Sequence, residues 1–143
     1  MAQDASFSDG TDRALYLGAV TPEDLEVISS ILQDSIFCVK DLAWSKKKRQ
    51  LAVLLNRFRW ENKPSYSMKK TIPERVRSLM IVDNVLNVSS KGIDRSDINA
   101  ALNLLKLDLN ESKNCIFLTL LLSDFGAIRC EVEALELSIK DVT

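Results

Sequence analysis

Hydrophobic residues along this chain fall into short runs separated by polar, turn-forming clusters. One run keeps a helical rhythm. In TPEDLEVISSILQDS, Leu25, Ile28, Ile31 and Leu32 share one face at a period of 3.6. Thr21 can cap that helix and Pro22 suits its first position. Asp24 stands at capping-box spacing, with Asp in place of the usual Glu. The pattern predicts a helix over about residues 22–33.

Elsewhere the period is two, as half-buried strands require. ALYLGAV reads as a short strand. SIFCVKDLAW and QLAVLLNRFRW read as a hairpin around the charged turn SKKKR. ERVRSLMIV and NVLNVSS read as a second pair, turned at Asp83 and Asn84, which both tolerate positive φ. KGIDRSDINAAL reads as a turn and then a short helical turn capped by Asp94 or Ser96. LLKLDLN and NCIFLTLLL are strands around a polar turn at Glu111–Asn114, and SDFG is another turn. In AIRCEVEALELSI, Ile128, Cys130 and Val132 alternate, and then the parity flips to Leu135, Leu137 and Ile139. A strand through Glu133 followed by a β-bulge explains the flip. A C-terminal helix is the alternative, because Ile128, Val132, Leu135, Ile139 and Val142 also form a helical stripe.

Short turns between neighbouring strands favour antiparallel pairing. The expected fold is α+β: mostly antiparallel strands forming a curled sheet or small sandwich, with the helix of residues 22–33 packed on it. Residues 1–12 are polar, small and acidic and predict a disordered tail. Residues 13–143 then form a single domain. A loose echo between GAVTPEDL and GIDRSDI hints at an internal repeat without establishing one.

Composition narrows the chemistry. The chain has 143 residues, 46% of them hydrophobic, enough for a core without disulfides or metal. There is no histidine, which removes the usual general base near neutral pH and the commonest metal ligand. The three cysteines, Cys38, Cys115 and Cys130, are widely spaced inside apolar runs. They read as reduced core residues of a cytoplasmic protein, not as a zinc or disulfide set. The N-terminus lacks the basic start and apolar stretch of a secretory signal. The longest apolar stretch, CIFLTLLL, is 8 residues, far short of a membrane span. No Gly-rich phosphate loop, GxSxG elbow or kinase set occurs.

Charge changes the picture more than composition does. The net charge is -1, yet residues 45–77 carry 11 positive and 2 negative side chains. The candidate anion- or partner-binding residues are Lys46, Lys47, Lys48 and Arg49 in the turn, Arg57 and Arg59 on the strand, and Lys69 and Lys70 in the following loop. Guanidinium forks suit phosphate or carboxylate. Alternation places Leu51, Val53, Leu55, Arg57 and Arg59 on one side of the strand, and Phe58 and Trp60 on the other. The expectation is that Phe58 and Trp60 close the core while Arg57 and Arg59 leave it. In GIDRSD, Asp94, Arg95 and Asp97 are expected to cap and to pair with one another.

Taken together, YLGAVTPEDLEVISSILQDS, LNRFRWE, SKGIDRSD and GAIRCEVEALE resemble a bacterial, mainly alphaproteobacterial, family catalogued as a domain of unknown function, DUF2948. The resemblance runs from about Leu15 onward and brings no activity, cofactor or catalytic residue. The leading functional reading is a non-catalytic binding or adaptor module of the bacterial cytoplasm, acting through protein contacts that include homodimerisation. The alternative is a nucleic-acid or anionic-ligand binder using residues 46–77. An enzyme is the least favoured reading, and no cofactor, metal or membrane is implied.

Overall fold

Period-two alternation dominates the molecule, and every strand it generates joins one sheet. The structure, a computed structural model, describes residues 14–59 and 74–142. The tail over residues 1–12, the loop over residues 61–73 and Trp60 lie outside them. The strands are β1 (Tyr16–Ala19), β2 (Ser35–Cys38), β3 (Leu42–Ser45), β4 (Gln50–Phe58), β5 (Arg75–Val82), β6 (Val85–Lys91), β7 (Ala101–Ser112), β8 (Cys115–Leu122), β9 (Ala127–Val132) and β10 (Leu137–Val142). The order across the sheet is β1-β10-β5-β4-β2-β7-β8-β9-β6, and β3 pairs with β4 beside that path. All these pairings are antiparallel. The sheet is open, and the expected α+β class holds.

The helix α1 (Pro22–Leu32), the single α-helix among the described residues, starts as its sequence predicts. Thr21 Oγ accepts from the Asp24 N–H at 3.1 Å. Leu25, Ile28 and Leu32 are buried, and the helix packs against β1, β4 and β7. The inward faces of strands from both halves of the sheet meet in one core cluster, from Val53 and Met80 to Leu118, Cys130 and Ile139. One sheet encloses one core only by curling around it. No helix among the described residues is long and apolar enough to cross a membrane.

Four local expectations change. The run 35–44 is two strands, because Val39–Asp41 form a 3-10 turn in which Asp41 Oδ2 accepts from the Cys38 N–H at 2.9 Å. Residues 94–100 form turns and not a helical turn: Asp94 Oδ1 accepts from the Ser96 N–H (3.0 Å) and Oγ (2.6 Å), which closes a local turn. Asn84 does take positive φ (59°), but β5 and β6 are no hairpin. β5 pairs with β4 and β10, while β6 pairs with β9. The parity flip after Val132 is neither bulge nor helix. Residues 133–136 carry the chain from β9 to β10 in the other half of the sheet. The two crossings brace each other, since the Glu133 N–H donates to Asn84 O (2.8 Å) and the Asp83 N–H to Glu136 O (2.9 Å).

The strand order also carries a repeat-like pattern. Two meanders, β2–β4–β5 and β7–β8–β9, meet at the β2–β7 pairing. β1 leads into the first through α1, and β6 leads into the second through the turns of residues 92–100. β6 returns beside β9. β1 does not return beside β5, because β10 lies between them.

Candidate functional site

The basic residues singled out from the sequence are not brought together. Arg57 continues the inward register of Leu51, Val53 and Leu55 and is fully buried, so the expectation that it leaves the core is corrected. Its Nε donates to Ser78 Oγ (2.9 Å) and Asp141 Oδ1 (3.0 Å), and its Nη2 to Asp141 Oδ2 (2.9 Å). Its Nη1 donates to the Phe58 carbonyl (2.9 Å). Ser78 Oγ donates to Asp141 Oδ1 (2.6 Å), and the Leu15 N–H donates to Asp141 Oδ2 (2.8 Å). Burial alone would raise the Asp141 pKa. Hydrogen bonds from Arg57, Ser78 and Leu15, with the charge of Arg57, outweigh it and hold the carboxyl below its ordinary value of 3.8. This guanidinium is spoken for by the fold, and β4, β5 and β10 each contribute to it.

Arg59 is also largely covered, with 13% of its side chain exposed and Glu74 Oε1 3.9 Å from its Nε. Phe58 is half-buried and carries the Arg75 guanidinium 3.9 Å above its ring. Lys46, Lys47 and Lys48 are exposed at the tip of the β3–β4 hairpin. Arg49 pairs with Glu133 at 3.0 Å, both largely exposed. Lys69 and Lys70 lie outside the described residues. All three cysteines are free. Cys130 is buried, and burial pushes its thiol up to about 12, whereas Cys38 and Cys115 are half-buried. Among the described residues no cluster suits a metal ion.

A different surface has the features of a binding site. β6 stands at one end of the sheet and pairs only with β9. Among the described residues, Val85 is the only member of β6 whose backbone bonds elsewhere, its N–H reaching Arg49 O at 2.9 Å. The remaining outward backbone groups form an open edge, the kind of template that accepts a further strand. Register fixes which way the side chains of β6 point. Val88 and Ser90 stand opposite Cys130 and Ile128, which are buried, so they face inward. Ser89 and Lys91 stand opposite Arg129 and Ala127 and face outward.

Each face of that edge has its own depression. On the inner side a slot of about 250 Å³ lies between β6 and β3. Leu42, Trp44, Val88 and Ile93 form its walls, Leu51 and Ile128 its floor, and Arg95 belongs to its lining. β3 and β6 are far apart in strand order, and it is the curl of the sheet that sets them across one slot. On the outer side a groove of about 430 Å³ is lined by Ser89, Lys91, Thr119 and Arg129 with Ala127 and Leu121. Arg129 Cζ sits 4.6 Å from the Phe117 ring centroid. The expected Arg95–Asp pairing is absent. Among the described residues no carboxylate pairs with Arg95, Lys91 or Arg129, although Glu131 lies two residues from Arg129 on the same face.

The sequence reading missed this surface because it followed charge density, and Lys91, Arg95 and Arg129 are scattered along the chain. One signal was visible: NVLNVSSK loses its apolar alternation after Val88, as an edge strand does.

Searches among curated proteins and among solved structures return no match. A family model does match, over residues 15–143, and by it the chain belongs to the family described as protein of unknown function (DUF2948).

Proposed function

We propose that this is a non-catalytic binding module of the bacterial cytoplasm that captures a partner polypeptide by adding it as a strand to β6. The observation that carries the reading is the open edge of β6, bordered by an apolar slot on one face and a polar groove on the other. Backbone bonds to an edge supply affinity, and pockets for alternate side chains supply specificity. The slot holds about 250 Å³, below the roughly 300–1,000 Å³ usual for small-molecule sites, and suits one anchoring side chain better than a whole cofactor. A second copy fits the edge less well than a different partner does, because pairing β6 with itself would add a second Lys91 and no carboxylate to the edge. The alternative built on residues 46–77 loses Arg57 to the interior and has Arg49 already paired.

The test is a displayed library of random peptides selected on the protein, followed by hydrogen exchange of the complex. Enriched peptides should slow exchange of amides within Val85–Lys91. Protection confined to another surface, or no enrichment, would reject strand addition.

A further inference from the structure

We infer that the strand accepted by β6 alternates apolar and acidic side chains. This rests on strand addition at β6 and names the partner's chemistry. An added strand continues the pleat of its neighbour, so its successive side chains fall on opposite faces of the sheet. Here the two faces differ in kind. Residues that follow Val88 and Ser90 inward meet Leu42, Trp44 and Ile93 in the slot. Residues that follow Ser89 and Lys91 outward meet a groove lined by Lys91 and Arg129, with the hydroxyls of Ser89 and Thr119 flanking Arg129.

The outer cations share one surface. Ser89, Arg129 and Thr119 form one row across β6, β9 and β8, and Lys91, Ala127 and Leu121 form the next row on the same face. Arg129 stands in the row of small and hydroxylated residues, and Ala127 leaves Lys91 uncovered, so both cations reach the groove. Among the described residues neither pairs with a carboxylate. A carboxylate from outside can occupy positions that the interior network around Arg57 fills from within. Arg95, in the slot lining, adds a third cation at the same edge. An apolar residue facing inward and Asp or Glu facing outward therefore match both depressions at once. A basic strand would set like charges beside Lys91 and Arg129.

Three labelled seven-residue peptides test this, one for each position of β6. One alternates Val and Glu, one alternates Val and Lys, and one has the Val–Glu composition with its glutamates clustered. Binding to the full chain is read by fluorescence anisotropy, and the contact site by hydrogen exchange. The alternating acidic peptide should bind about tenfold more tightly than either other peptide, and more weakly as salt rises. In the double variant Lys91→Glu with Arg129→Glu that preference should reverse toward the Val–Lys peptide. Ile93→Ser should weaken every peptide that uses the slot. Equal binding of all three peptides, with β6 protected each time, would overturn the alternating pattern and leave strand addition standing. Absence of β6 protection with every peptide would remove strand addition itself. Tight binding of the acidic peptide that the double charge reversal leaves unchanged would also overturn the inference.

Discussion

Arg57 and Arg129 both stand in β-strands, and they meet opposite fates. Arg57 points into the core, where a carboxylate, a hydroxyl and a carbonyl receive its donors. Arg129 points away from the core beside an open edge and finds an aromatic ring but no acid. Alternation separates them by parity alone: Arg57 falls in step with Leu51, Val53 and Leu55, and Arg129 out of step with Ile128 and Cys130. The difference is what the fold delivers from elsewhere. Asp141 arrives through β10 opposite Ser78 of β5, and β5 is the strand beside the one that carries Arg57. Among the described residues no such strand lies beyond β6. A cation completed by the fold is structural, and a cation left at an edge is available to a partner.

Substitutions on the two sides should therefore fail in different ways. The largest effect belongs to Asp141→Ala, which strands a fully buried guanidinium. It should cost roughly 3–5 kcal/mol, a large part of a total stability of roughly 5–15 kcal/mol, as read by urea unfolding. The double variant Arg57→Met with Asp141→Leu should recover much of that loss, because a buried pair replaced by apolar groups is often neutral. A small effect of Asp141→Ala would make Arg57 no more structural than Arg129.

Acid sharpens the same contrast. The Asp141 carboxyl titrates lower in the folded chain than its ordinary 3.8, so the stability it supplies is complete above that value. It is lost as pH falls through the lower folded value. Thermal melts from pH 6 down to pH 2 should show a stability loss in the wild type that is smaller in Asp141→Asn.

Smaller effects lie away from the network. Thr21→Ala removes the bond to the Asp24 N–H and should cost on the order of 1 kcal/mol in urea unfolding. Glu133→Gln breaks the exposed pair with Arg49 and should cost about 0–1 kcal/mol. Arg129→Glu should change stability least, within about 0.5 kcal/mol, while still altering peptide binding. A severe melting-point loss in that variant would show Arg129 to be structural and erase its contrast with Arg57.

Much of the fold was legible in the sequence. The cap at Thr21, the β3–β4 hairpin and the turns at Asn114 and Asp124 all follow from local rules. The parity of Arg57 was legible too: alternation placed it on the side of Leu51, Val53 and Leu55. What alternation could not supply was Asp141, 84 residues away, without which a buried arginine is prohibitive. The same limit explains the misread crossings. Asp83–Asn84 reads locally as a hairpin turn, and only the distant partners of β5 and β6 make it a passage between halves of the sheet. The site was hidden for a related reason. Trp44 and Val88 share a slot through the curl of the sheet, and no spacing in the sequence encodes that proximity.

The position of β10 has a consequence for the chain as it is made. Among the described residues β1 pairs with β10 alone, and Asp141 of β10 supplies a carboxylate that grips Arg57 in the interior. The meander β7–β8–β9 with β6 contains nearly all its own pairings and can assemble as soon as β9 emerges. The strands that precede β10 in the sequence are completed only when it joins them at β1 and β5. Until β10 is in place Arg57 lacks Asp141 and β1 lacks its neighbour, so their closure is expected as a late, long-range step of folding. A chain stopped after Glu136 should keep β6–β9 paired and lose the closure of β1 and of the Arg57 network.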